Sequence, residues 1–85
     1  MEKQFTVMNH AGIHARPANA IMEKAVSYTC RITIQKDAKI ANAKSMVSLL
    51  KLGAKMGDTV TVITEGEDEI EAMSAIGEIV QSHVD

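Results

Sequence analysis

Gln4 to Met8 alternates, with Phe5 and Val7 on one side, and the period of two predicts a strand. Ala18, Ile21, Met22, Ala25 and Val26 then recur at helical spacing and form one apolar stripe. Cys30, Ile32 and Ile34 share one face of a second strand, with Arg31, Thr33 and Gln35 on the other. Asp37-Ala38 reads as a hairpin turn into a short strand over Lys39 to Asn42. Ser45 suits the N-cap of a short helix that stops at Gly53, a C-cap residue. Gly57-Asp58 opens a fourth strand, Thr59 to Thr64, with Val60 and Val62 inward. Ile70, Met73, Ile76, Gly77, Val80 and Val84 make one face of a closing helix. Its first turns carry Glu67, Asp68, Glu69 and Glu71, where carboxylates suit the helix dipole.

The order is β-α-β-β-α-β-α, with no linker, repeat or low-complexity tract. Three helices with one apolar stripe each must cover a sheet rather than one another. The economical arrangement is an α+β open-faced sandwich, an antiparallel sheet with all helices on one face. Periodicity alone leaves the strand order open.

Eighty-five residues make one domain, residues 1–85, with room for a single core. Phe5 and Tyr28 are its only aromatics, so that core is aliphatic. No apolar run approaches the ~18 residues of a membrane span, and Met1-Glu2-Lys3-Gln4 lacks the plan of a signal peptide. A single cysteine, Cys30, fits a reducing interior and reads as a small core residue. The expected location is the cytoplasm. The net charge of −2 hides a division: all nine Lys and Arg precede residue 56, against three acids there, while residues 56–85 hold eight acids and no base. The basic residues are scattered singly without aromatics between them, which argues against nucleic acid. An acidic protein surface is the better match.

The chemistry concentrates in Gly12-Ile13-His14-Ala15-Arg16-Pro17-Ala18. Gly12 supplies a turn, and Pro17 suits a helix start because its missing N–H costs nothing there. His14 therefore sits over the first helical turn, where unpaired N–H groups from Ala15 and Arg16 and the positive dipole end attract phosphate. Imidazole is a nucleophile near neutral pH, and Arg16 adds a guanidinium fork for phosphate oxygens. For an arbitrary histidine the plainer reading is a loop residue bonding the backbone. His10 and His14 are four apart, but Gly12 and the strand exit break the helix that would bring them together on a metal, so no metal or other cofactor is expected. His83 reads as a cation near a helix C-terminus.

This segment resembles the active-site motif of HPr, the histidine phosphocarrier family of the bacterial phosphoenolpyruvate-dependent sugar phosphotransferase system. Asn42 to Gly53 resembles the family's second signature, Gly57 to Val62 its last strand, and Glu65 to Glu69 its entry to the final helix. The resemblance spans the whole chain and reverses the plain reading of His14. It implies four antiparallel strands under three helices. It also implies phosphorylation on the His14 ring nitrogen nearer the backbone, with Arg16 assisting and Gly12, Ala15 and Pro17 shaping the phosphate site. Ala11 stands where the family often has a capping Asn. Ser45 resembles a serine that a dedicated kinase modifies in many relatives. Met46, Val47 and Leu50, outward on the short helix and rimmed by Lys44, Lys51 and Arg16, match the family's docking region, while Leu49 and Leu52 face the core. The alternative is that all five are core.

The implied partners are enzyme I and the IIA domains of sugar permeases, with an HPr serine kinase/phosphatase and a transcriptional regulator as further ones; a monomer suits such an intermediary. The chain would carry phosphate without turnover on a free small molecule. The competing reading is an HPr-like regulator, of the nitrogen branch or of catabolite control, acting through phosphorylation-dependent binding. The catabolite-repression paralogue lacks the histidine, so His14 argues against a serine-only regulator, whereas a nitrogen-branch paralogue keeps the motif. A nucleic-acid or ligand-binding domain with an accidental match is remote, lacking a basic stripe, stacking aromatics and a glycine-rich phosphate loop.

Overall fold

The computed structural model describes residues 1–82. Its elements are β1 (Glu2–Thr6), α1 (Ala15–Val26), β2 (Arg31–Lys36), β3 (Lys39–Asn42), α2 (Met46–Lys51), β4 (Thr59–Glu65) and α3 (Glu69–Val80). The strands form one sheet in the order β1-β4-β2-β3, every pair antiparallel. The chain thus adopts the expected β-α-β-β-α-β-α open-faced sandwich. The order left open by the sequence is settled by β4, which inserts between β1 and β2: Gln4 faces Thr61, and Thr61 faces Gln35.

Alternation along the strands decides which face is covered. Phe5, Ile32, Ile34, Ala41, Val60 and Val62 point into the helical layer and are buried, and Ala18, Ile21, Ala25, Leu49, Leu52, Met73 and Ile76 meet them from above. Burial of this order, worth roughly 1.5–3 kcal/mol per large aliphatic side chain, is what holds α2, a helix of six residues, in place. Asn9 and Thr64 are the buried polar side chains among the described residues, and the Thr64 hydroxyl donates to the Glu69 carbonyl at 3.0 Å. The one core aromatic dictates a glycine. A Cβ on Gly77 would stand 2.3 Å from Phe5 Cζ, so α3 carries hydrogen where the ring presses on it.

Four expectations shift. β1 starts two residues earlier than expected and its ladder ends at Thr6. Val7 instead exchanges bonds with the loop before β4, its N–H to Asp58 O and its carbonyl from Gly57 N, both at 2.8 Å. Val26, expected in the α1 stripe, is 55% exposed as the helix's last residue, and Met22 is only half-buried. Ile70, expected inward, is 67% exposed, because the first turn of α3 overhangs an open cleft beside Met1 and Lys3. Ala72 takes a core position that the sequence reading missed. Val84 and His83 lie outside the described residues.

Asp68 ties the start of α3 to the segment before β2. It occupies the N-cap position of α3, where its carbonyl accepts from Ala72 N at 3.0 Å but its side chain makes no capping bond. Its carboxylate accepts instead from Thr29 N and Cys30 N, both at 2.9 Å, and from the Thr29 hydroxyl. These donors, Thr29 N–H foremost, pull its pKa down to about 2. Burial first, then the Asp68 carboxylate, push the Cys30 thiol up, which keeps it protonated and inert.

Candidate functional site

The chain leaves β1 and turns through residues 7–14 before entering α1. Asn9 organises this turn: its side-chain oxygen accepts from Ala11 N at 3.1 Å and its carbonyl from Gly12 N at 2.9 Å. An asparagine bonding two residues ahead is an Asx turn, so Asn9 does the local ordering that Ala11 lacks. Sequence reading passed over it; an Asn at the exit of a strand was the available signal. Gly12 has φ +76°, and a Cβ there would meet Ala54 O at 2.3 Å and Lys55 Cα at 2.9 Å. Ile13 then donates its N–H to the same Ala54 carbonyl at 3.0 Å and buries its side chain. The loop is thus pinned to the segment after α2, and Ile13, Ala54 and Lys55 are positioning residues that the motif did not reveal.

His14 is the N-cap residue of α1, extended at φ −107° and ψ −162°, and its side chain makes no capping bond. Its carbonyl accepts the first helical bond, from Ala18 N at 2.9 Å. The N–H groups of Ala15 and Arg16, both exposed residues, have no acceptor among the described residues. Pro17 is buried and brings no N–H to the first turn. The His14 side chain is half-buried, and its Nε2 is enclosed without a hydrogen-bond partner. Nδ1 is not enclosed in that way. Arg16 is exposed, and its guanidinium makes no ion pair or hydrogen bond among the described residues. A ring nitrogen and two free amide donors therefore sit at a helix N-terminus, with the unpaired Arg16 in its first turn.

Ser45 occupies the N-cap of α2 and its hydroxyl accepts from Ser48 N at 3.3 Å. On α2 itself Val47 is 62% and Leu50 42% exposed, Leu49 and Leu52 are buried, and Met46 is half-buried against the core. The apolar patch is therefore smaller than the sequence suggested, resting on Val47 and Leu50. Lys44 is not part of its rim in the expected way, since its ammonium donates to the Tyr28 carbonyl at 2.8 Å and is partly buried. Among the described residues no group of His, Cys, Asp and Glu could hold a metal ion, and no helix is long and apolar enough to cross a membrane.

An open-faced sandwich that presents a histidine at the head of its first helix, among unpaired amides, defines a class of small phosphoryl-handling proteins. The comparisons narrow it. The family model "PTS HPr component phosphorylation site" matches residues 1–82, and the chain belongs to the HPr family of phosphocarrier proteins. It is 46% identical to the HPr-like protein Crh of Halalkalibacterium halodurans over 76 residues, which cover 89% of this chain and 90% of that one. Its fold superposes with TM-score 0.91 on the phosphocarrier protein HPr of Bacillus anthracis, at 36% identity over 95% of this chain and 96% of the other. A crystal structure of the catabolite-repression protein Crh of Bacillus subtilis, a domain-swapped dimer, matches with TM-score 0.80 and 39% identity, covering 88% and 86% of the two chains. With relatives of both kinds, family membership gives a phosphocarrier of the phosphotransferase system in general terms and not its individual partners.

Proposed function

We propose that this chain carries a phosphoryl group on His14 between phosphorylated enzyme I and the IIA domains of sugar permeases. The observation that carries the reading is the placement of the His14 ring, half-exposed at the N-cap of α1 with Ala15 N–H and Arg16 N–H unpaired beside it. Enclosure of Nε2 favours Nδ1, the nitrogen nearer the backbone, as the acceptor. In the forward step the Nδ1 lone pair forms the new N–P bond. The donor's P–N bond breaks and its electron pair returns to the donor nitrogen. No water enters and no free small molecule turns over. Such a transfer depends on positioning and charge stabilisation. The two amides and the Arg16 guanidinium supply three donors for the phosphoryl oxygens, while Gly12 and Pro17 fix the turn that aims them. Val47, Leu50 and the edge of Met46 provide the small apolar contact that a transient partner needs.

Ser45 is the second proposed modification site. Phosphate there would sit at the start of α2, beside the docking residues, and repel an acidic partner. An HPr serine kinase/phosphatase would write this mark and a transcriptional regulator would read it. Likeness to Crh favours a second reading, a regulator that works by phosphorylation-dependent binding; dimers are seen for a Crh relative and for an HPr of Thermoanaerobacter tengcongensis alike, so the likeness does not support the expected monomer.

Incubation with phosphoenolpyruvate and enzyme I tests the carrier reading. An acid-labile, base-stable phosphate on the wild type, absent from His14→Ala, is expected by mass spectrometry. An unlabelled wild type refutes it. ATP and the serine kinase, with Ser45→Ala as control, test the regulatory arm, and light scattering of the unmodified chain decides between monomer and dimer.

A further inference from the structure

β3 is an edge strand, paired only with β2. In their register Ala41 faces Ile34 and Ile40 faces Gln35. Ala43 N donates toward β2, to Ile32 O at 3.0 Å. Asn42 turns the other way, its N–H to Ser48 Oγ at 2.9 Å and its carbonyl from Ser45 N at 2.9 Å. Backbone polar groups alternate sides along an antiparallel strand, so Ile40, two residues before Asn42, also directs its N–H and C=O away from β2. The start of α2 satisfies Asn42. Ile40 has no such partner among the described residues, and its edge opens into a cleft of about 340 Å³ lined by Lys39, Ile40, Ser48, Lys51 and Leu52.

The rim of this cleft is cationic. Lys39 and Lys51 are exposed and form no ion pair among the described residues. Lys39 Nζ lies at the far end of α2, 3.9 Å from where a Cβ on Gly53 would stand. Asp37 is the only acid between residues 36 and 51. Ile40 itself is 67% exposed. Lysines on an edge strand oppose pairing with a second copy, which would bring like charges together. The same lysines attract the opposite charge.

We propose that this cleft receives an extended acidic segment of a partner protein, paired to the Ile40 N–H and C=O along the free edge of β3, with carboxylates against Lys39 and Lys51. Strand addition supplies the main-chain bonds, and the alternating side chains supply the choice of partner. This surface lies on the β3 side of α2 and requires nothing of His14, so it stands or falls apart from the carrier reading.

The test is an NMR titration of the full ¹⁵N-labelled chain with a capped heptapeptide alternating Glu and Val, against one alternating Lys and Val. The Glu peptide is expected to shift the amides of Lys39, Ile40, Ser48 and Lys51 and to slow hydrogen exchange at Ile40 N–H; the Lys peptide should do neither. Replacing both Lys39 and Lys51 by Gln should weaken binding about tenfold or more. Ile40→Pro removes the outward N–H without breaking a ladder bond, so it should keep the melting temperature and lose the binding. If that variant fails to fold, the lysine pair decides. Equal binding of the two peptides, no binding, shifts centred on Val47 and Leu50, or unchanged affinity in the lysine double variant would each overturn the proposal.

Discussion

Gly12→Ala is the substitution that reaches furthest from local backbone to chemistry. Three costs apply. A left-handed residue with a Cβ is disfavoured by about 1–2 kcal/mol, and Gly12 has φ +76°. The added methyl would stand 2.3 Å from Ala54 O and 2.9 Å from Lys55 Cα, both backbone, so neither neighbour can swing aside; overpacking of this kind costs about 1–3 kcal/mol. Separation of the two segments also strains the Ile13 N to Ala54 O bond of 3.0 Å, worth ~0.5–1.5 kcal/mol. The expected loss is about 2.5–6.5 kcal/mol, a large share of the ~4–13 kcal/mol typical of a domain this size. Gly57→Ala is the control. Its φ is +92°, but no atom lies within 4 Å of the new Cβ, so only the backbone cost of ~1–2 kcal/mol applies. Urea denaturation at constant m-value measures both. The folded fraction of Gly12→Ala should also accept phosphate from enzyme I more slowly, because His14 follows two residues later. Two alanine variants within 0.5 kcal/mol of each other, or full-speed phosphorylation of folded Gly12→Ala, would refute the argument that close approach to Ala54 aims the histidine.

Other outcomes follow from single contacts. Asp68 has its pKa depressed from 3.8 to about 2, chiefly by Thr29 N–H. The unfolded chain therefore binds that proton first, and the stability linked to it is complete above about pH 4 and lost as pH falls toward 2; Asp68→Asn should flatten the acid limb of a stability–pH profile measured by circular dichroism. Ser45→Ala removes the α2 cap and should cost about 0.5–1 kcal/mol in urea melts, toward the low end because the bond to Ser48 N is long at 3.3 Å. Leu49→Ala should cost about 2–5 kcal/mol, whereas Leu50→Ala, at an exposed position, should stay within about 0.5 kcal/mol yet weaken partner binding in calorimetry.

Periodicity located five of the seven elements because each has one wet and one dry side; the Asp37-Ala38 turn located β3, and the Ser45 and Gly53 caps located α2. Periodicity misplaced residues where an element's apolar spacing continues beyond its cover. Ile70 keeps the helical spacing of Met73, Ile76 and Val80, but it borders an open cleft shared with Met1, Lys3 and Phe5, so the spacing persists while the cover ends. Val26 at the end of α1 is the same case. The start of β1 was hidden for another reason: Glu2 and Gln4 face solvent and Lys3 lies over the Phe5 ring at 5.5 Å, so no hydrophobic signal marks the pairing with β4.

The site divides along a similar line. Gly12, His14, Arg16, Pro17 and Ser45 were legible because the role proposed for each is local: a positive φ, a nucleophilic ring, a guanidinium, a missing N–H, a capping hydroxyl. What positions the ring is non-local and left no motif. Ala54 contributes only its carbonyl, to which Ile13 N is bonded, and any residue has a carbonyl. The close approach at that carbonyl can be read only from the other side, as a glycine that tolerates no Cβ. Gly12 therefore carries two constraints in one position: a backbone angle, visible in sequence as a turn residue, and a contact with the segment 42 residues downstream, invisible until the chain is folded. The second constraint ties the loop that carries His14 to the segment that follows α2.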